Sequence, residues 1–515
     1  MSPRTDHSAP ERDRGQESAL PAPPPTPEGR RARGGTSTAR GKEAAAGEKD
    51  GGQDQGRRAG EPVPRPSGRP RRRPVRRRSA RLAACATALA VALTAGAAVL
   101  GSRDGGKQAA ATTAARGIDP ALLAAGDLDT AISALQSQLR AQPRDFGSWA
   151  TLGLAYVEQA RTNGDPSRYP QAEQALNRSL ALRPGNDAAL AGRAALAAAR
   201  HDFTGALRYA DQALAANPYS ERALCSRIDA LVELGRYGEA SKAADVADAR
   251  RPGVPVFTRY AYVHELRGDV TSARRVLEQA LATATSPGDI AYVATALGQL
   301  AWNQGEYRTA LGHYAHALRS QRSYLPALEG RARALDAIGD HTRAIRAMEQ
   351  VVARYPLPVP LVELGEMYQA RGAAGDKAKA RQQYALVDVW ISLARANGVD
   401  ADLDTALAAA DHGDRKAALS AARAEWSRRH TVHTADALAW ALHVNGRDAE
   451  ALPYARRATA TGYRNAAFRY HLGMIEYATG HTEAARTSLS AALDLNAGFS
   501  PLGTRRAHQV LEAAK

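Results

Sequence analysis

Cysteine and aromatic side chains are scarce in this sequence: 515 residues carry two cysteines, five tryptophans and five phenylalanines. Thiols as far apart as Cys85 and Cys225 exclude a disulfide framework and a local cysteine-rich zinc site. The alternating apolar pattern of strands is missing throughout. Catalytic constellations are missing as well. Gly35–Lys42 fails the phosphate-loop spacing by one residue, and His264-Glu265 is not followed by a second histidine three residues on. The pairs His313/His316 and His430/His433 have no cysteine or carboxylate close in sequence to complete a metal set. Cys225 has no neighbouring base and reads as an inert thiol. No catalytic residue, cofactor or metal is therefore expected, and the chain does not read as an enzyme.

What is present is uneven. The net charge is +16, but residues 1–81 hold 20 Lys/Arg against 10 Asp/Glu, so most of the excess sits in a tail. Residues 1–80 also contain 12 of the 27 prolines, including the run Pro21–Pro27, and almost no bulky apolar side chains. Such a segment buries too little to offset its conformational entropy, so 1–81 is expected to be a disordered Arg/Pro-rich tail. Its closing block, with nine arginines between Arg65 and Arg81, lacks interleaved aromatics, which argues against nucleic acid as the partner.

Residues 82–101 contain no charged side chain over 20 positions, the length of a membrane-crossing helix. The arginines before it place the tail in the cytoplasm and the rest outside by the positive-inside rule. The expectation is a single-pass membrane protein with residues 82–101 as anchor. It becomes a secreted one if Ala95-Gly96-Ala97 is a signal cleavage site, although 81 residues is long for a leader. A spacer, 102–111, follows.

From there a period of 34 residues governs the chain. Pro184, Pro218 and Pro252 stand 34 apart, as do Gly305 and Gly339, and Gly446 and Gly480. Alanine recurs at one position of every unit: Ala131, Ala172, Ala206, Ala240, Ala273, Ala310, Ala344, Ala380, Ala418, Ala451 and Ala485. Apolar residues follow the i, i+3, i+4 spacing of amphipathic helices. Two antiparallel helices that cross closely need a small residue at the crossing, which suits those alanines and Gly153, Gly298, Gly365 and Gly473. Glycine between the helices, as at Gly235, Gly268, Gly305, Gly339 and Gly372, suits a left-handed turn. Proline at the end of a unit, as at Pro184, Pro218 and Pro252, stops the second helix because it cannot continue the ladder.

Trp149, Leu152, Gly153 and Tyr156, followed by Ala172, Leu176 and Pro184, match the W-x2-L-G-x2-Y…A…P pattern of the tetratricopeptide repeat. The chain resembles that family over about residues 112–499. The resemblance implies an all-α, right-handed solenoid of about eleven helix-turn-helix repeats, preceded by the disordered tail and one hydrophobic helix. Units 1–8 fall in 112–398 and units 9–11 in 399–499, with a capping helix at 500–515. The first unit is expected to have a short first helix, Pro120–Ala125.

The family's geometry further implies a concave groove lined by the second, fifth, ninth, twelfth and thirteenth residues of each unit. In the middle of the array these include Arg222, Asp229, Tyr262, Tyr292, Gln299, Trp302, Asn303, Glu329 and Arg333; near the end they include Trp440, His443, Tyr470 and Tyr477. Aromatic and arginine side chains there suit binding hot spots better than packing. No lysine occupies a fifth position from the second unit on, so the carboxylate clamp of the family's chaperone-binding members is excluded. The expected function is a membrane-anchored, non-catalytic scaffold that binds a protein or extended peptide in the groove. The alternative is a cytoplasmic or nucleoid-associated adaptor working through its Arg-rich tail.

Overall fold

The computed structural model describes residues 128–163, 166–396 and 403–513. The tail 1–81, the apolar segment 82–101, the spacer 102–111 and the expected helix Pro120–Ala125 lie outside the described residues. Among the described residues there are 22 α-helices and no strand. They run α1 (Leu128–Ala141), α2 (Phe146–Asn163), α3 (Tyr169–Leu182), α4 (Asp187–Ala199), α5 (Phe203–Ala216), α6 (Glu221–Glu233), α7 (Tyr237–Arg250) and α8 (Val254–Leu266). Then come α9 (Val270–Thr283), α10 (Pro287–Asn303), α11 (Tyr307–Ser320), α12 (Leu325–Ala337), α13 (His341–Arg354), α14 (Pro358–Arg371) and α15 (Asp376–Ala396). The last seven are α16 (Leu403–His412), α17 (Arg415–Arg428), α18 (Val432–Val444), α19 (Asp448–Thr459), α20 (Ala466–Ala478), α21 (Thr482–Asn496) and α22 (Pro501–Ala513).

From α2 on, each even-numbered helix up to α20 pairs with the odd-numbered helix after it, and successive pairs stack. All eleven recurring alanines are buried, none more than 8 % exposed. The crossing glycines are as tightly held: a Cβ at Gly153 would stand 2.5 Å from Leu176, and one at Gly365 would stand 2.4 Å from Tyr384. The turn glycines all take positive φ, from 65° at Gly372 to 88° at Gly339. Aspartates that follow such turns cap the next helix; Asp202 Oδ1 accepts from the Gly205 amide at 2.8 Å and Asp269 Oδ1 from Ser272 at 3.0 Å. No pair could bury its apolar face alone, so the core is a continuous seam along the stack.

The stack also turns back on itself. The backbone at the α17–α18 junction meets the α6–α7 turn, where His430 N–H donates to Glu233 O at 3.2 Å. A Cβ at Gly235 would lie 2.4 Å from His430 O, one at Gly268 2.4 Å from Gly462 O, and one at Gly305 2.7 Å from Leu495 O. Three successive turns are thus glycine where a later part of the chain rests on them. Arg429, 6 % exposed, binds Glu425 Oε2 at 2.8 Å and Glu233 Oε2 at 3.3 Å, and both carboxylates are buried. Val432 N–H donates to Tyr237 Oη at 2.8 Å. Tyr307 Oη donates to Asn496 Oδ1 and accepts from Gly498 N–H, each at 2.8 Å, and Asn496 Nδ2 donates to Trp302 O at 2.8 Å. Val256, Val263 and Leu266 share one apolar cluster with Val432, Tyr463 and Phe468.

No helix among the described residues is long and apolar enough to cross a membrane. The longest, α15, spans 21 residues and carries Asp376, Lys377, Lys379, Arg381 and Asp388. This contradicts the single-pass localisation and the membrane contact expected from the sequence; the segment on which they stood, 82–101, lies outside the described residues.

Candidate functional site

The even-numbered helices present polar side chains to one another at intervals of about one repeat. Asn303 Nδ2 on α10 donates to Glu265 Oε1 on α8 at 2.8 Å, across 38 residues of sequence. Gln299, one turn before Asn303, donates to it at 2.8 Å and accepts from Arg333 of α12 at 3.2 Å. Arg333 also pairs with Glu329 on its own helix and reaches Glu363 of α14 at 3.0 Å, with its guanidinium 5.7 Å from the centre of the Trp302 ring. One turn on, Glu366 binds His412 Nε2 of α16 at 3.1 Å and accepts from Ser500 Oγ at 3.0 Å. Asp411 accepts from Trp440 Nε1 of α18 at 2.6 Å, and Trp440 stacks on His471 of α20, ring centres 4.1 Å apart. His471 in turn holds Asp436 at 2.9 Å. One polar row therefore crosses seven helices.

The row is enclosed yet open to water. The Arg333 and Glu363 side chains remain 21 % and 25 % exposed, and Asp411 is exposed. Burial pushes the Glu265 carboxyl up to about 7 against its hydrogen bond from Asn303, and it raises Glu363 as well. Next to the row, burial likewise raises Asp229 to about 7, although Arg259 Nε binds it at 2.8 and 2.9 Å. Burial works against a charged His471, but Asp436 more than offsets it and the imidazole titrates above its ordinary value.

The residues expected in the groove divide three ways. Gln299, Trp302, Asn303, Glu329, Arg333 and Trp440 belong to the row. Asp229, Tyr262 and Tyr292 sit beside it; Asp229 is paired with Arg259, Tyr262 packs on the cluster shared with Tyr463 and Phe468, and Tyr292 packs on the α8–α9 core. Of the others, His443 and Tyr470 pack on Trp440, with ring centres 4.9 and 5.7 Å away, while Arg222 and Tyr477 are exposed. Arg222 also pairs with Glu158 at 3.8 Å, His443 binds Asp448, and Tyr470 packs on Phe499 with centres 5.2 Å apart. Sequence reasoning passed over Glu265, Glu363, Glu366, Asp411 and His471. Three of them were within its reach: Glu265, Glu366 and Asp411 occupy the twelfth, ninth and thirteenth places of their units. Glu363 and His471 stand at the sixth place, one residue outside the pattern.

The row can bind; chemistry is not evident in it. No group of three metal-ligating side chains occurs among the described residues, and burial pushes the Cys225 thiol up to about 11. Stacked helix pairs presenting one continuous face define a helical-repeat scaffold. The tetratricopeptide repeat family model matches residues 120–187, 295–357 and 437–498. Over those three stretches the chain carries tetratricopeptide repeats. No curated protein matches it. Among solved structures it is similar to a thermophilic tetratricopeptide protein of Thermus thermophilus, 24 % identical over 36 % of this chain and 98 % of that one, TM-score 0.32. It is similar also to PilF of Pseudomonas aeruginosa, at 21 % identity over 44 % and 94 % of the two chains, TM-score 0.33. A third is human IFIT1, at 17 % identity over 61 % and 72 %, TM-score 0.41.

Proposed function

We propose that the array is a protein-binding scaffold that holds a segment of its partner along the polar row of α8 to α20. The observation that carries this is the row itself: seven stacked helices spend inward positions on Gln, Asn, Arg, Glu, Asp and Trp where packing alone calls for apolar side chains. Backbone amides of an extended segment would meet donors and acceptors at each repeat, and Trp302 with Arg333 supplies an aromatic and arginine anchor of the kind that dominates binding energy. A photo-crosslinking residue placed in the full chain at Gln299 or Asn303 should couple to one partner protein in the native cell. The same residue at the outward Lys242 should not. Coupling from Lys242 alone would refute the reading.

A further inference from the structure

The row is unbalanced in charge. From α8 to α16 it holds Glu265, Glu329, Glu363, Glu366 and Asp411, and among the described residues of that stretch Arg333 is its one permanent cation, shared between Glu329 and Glu363. His412 answers Glu366, but Glu265 is met by the Asn303 amide and Asp411 by the Trp440 indole, both neutral.

A second observation points to the same place. Tyr314 of α11 is 0 % exposed, and its hydroxyl has no hydrogen-bond partner among the described residues. Its ring passes between Gly298 and Gly330, where Cβ atoms would come within 2.6 and 2.3 Å of it, and the hydroxyl feels the charges of Arg333, Glu329 and Glu363. Leu176 and Leu489 fill the equivalent places over Gly153 and Gly473 without any polar atom. Packing does not require the hydroxyl, and leaving it unpaired is costly.

We propose that the row from α8 to α16 takes an extended, arginine- or lysine-bearing segment of a partner protein. This rests on the protein-binding reading above and names the chemistry of its partner. The spacing favours a polypeptide: adjacent helix axes lie about 8–10 Å apart and an extended chain advances about 3.3 Å per residue, so residues about three apart face successive helices of the row, of which α8, α12, α14 and α16 carry the carboxylates. Arriving cations would lower the carboxyl groups that burial now holds high.

The test titrates the full chain with a labelled twelve-residue peptide bearing arginine at every third position, read by fluorescence anisotropy. The peptide should bind at least tenfold tighter than its glutamine counterpart, and binding should weaken as salt rises. Glu363→Gln combined with Asp411→Asn should lose at least tenfold at unchanged helix content. Equal binding of the glutamine peptide overturns the proposal, as does an equal loss in the outward variant Glu239→Gln. Equal binding of spermine at matched charge overturns the polypeptide. Tighter binding once the nine arginines from Arg65 to Arg81 become glutamine would assign the row to the chain's own tail instead of a partner. Crosslinks from Gln299 to a partner segment without cations would overturn this inference while leaving the scaffold standing; crosslinks from the outer face alone would remove both.

Discussion

The two ends of the array are built from the same unit and held in different ways. In α1 to α5 the bonds that bridge helices span about one repeat, as from Ser179 Oγ to Phe146 O across 33 residues and from Asn217 Nδ2 to Asp187 across 30. In α17 to α21 bonds of that kind are joined by others spanning 189 to 197 residues, which tie the block to α6, α7, α10 and α11. The first region approaches the nearest-neighbour ideal of a repeat protein, in which an opening stays local. The second has a tertiary interface with a buried ion cluster, so its stability is shared with helices far away in sequence. The polar row ends in that second region, on α18 and α20, and the geometry of that end depends on the docking being intact.

The largest effect is expected where the docking is ionic. Removing the guanidinium in Arg429→Ala leaves Glu233 buried without its cation, while Glu425 keeps Arg428, and an unpaired buried carboxylate of this kind costs about 3–5 kcal/mol. Hydrogen exchange should accelerate in α6, α7 and α17 to α19 while α1 to α5 keep their protection. Equal acceleration in α1 to α5 would mean that the two regions are not separate cooperative units.

Acid should act on the same interface by a second route. Burial, with the neighbouring Arg429 charge, pushes the His433 imidazole down to about 4, below the roughly 6.5 of an unfolded chain. Between those values the unfolded state takes up a proton that the folded state refuses. The His433 contribution is therefore fully present above about 6.5 and is lost as pH falls towards 4, on the order of 2 kcal/mol. Asp229 and Glu265 are raised to about 7, so they oppose this trend: stability they provide when protonated is lost as pH rises from about 4 to about 7. The difference between the wild type and His433→Gln isolates the histidine. Denaturant midpoints measured from pH 7 to 4.5 should fall further in the wild type than in the variant; parallel curves would reject the assignment.

What was legible in the sequence was whatever repeats. Ala310 or Ala451 is small because a partner helix crosses there, and that reason recurs in every unit. Docking has no period. Gly268 reads as an ordinary turn glycine, and its φ of 79° bears that out, but its missing Cβ also admits Gly462 O, and nothing within 34 residues announces the second purpose. The site shows the same division. Gln299, Asn303 and Arg333 follow from the position within the unit. Glu363 lies one place off the pattern and is brought in by Arg333, whose long side chain selects partners by reach and not by register. Tyr470 has the right register, yet Phe499, just after α21, packs against it.

The smallest expected effect sharpens the comparison most, because it applies one perturbation to both regions. Asp202 caps α5 in the neighbour-only stack, and Asp414 caps α17 in the docked block by accepting from the amides of Lys416 and Ala417 at 2.9 and 3.1 Å. Each replaced by alanine should lose about 1 kcal/mol of local helix stability. In Asp202→Ala the loss has nowhere to travel beyond α4 and α5, so faster exchange should be confined to them. In Asp414→Ala the weakened helix is the one whose far end carries Glu425 and leads into Arg429 and His430, so part of the loss should appear at the docking contact. The amide of His430, bonded to Glu233 O, reports it directly. It should exchange several-fold faster in Asp414→Ala and at the wild-type rate in Asp202→Ala. If both variants leave the His430 amide untouched, α17 frays independently of the interface it delivers, and the docked block is held by its loops alone.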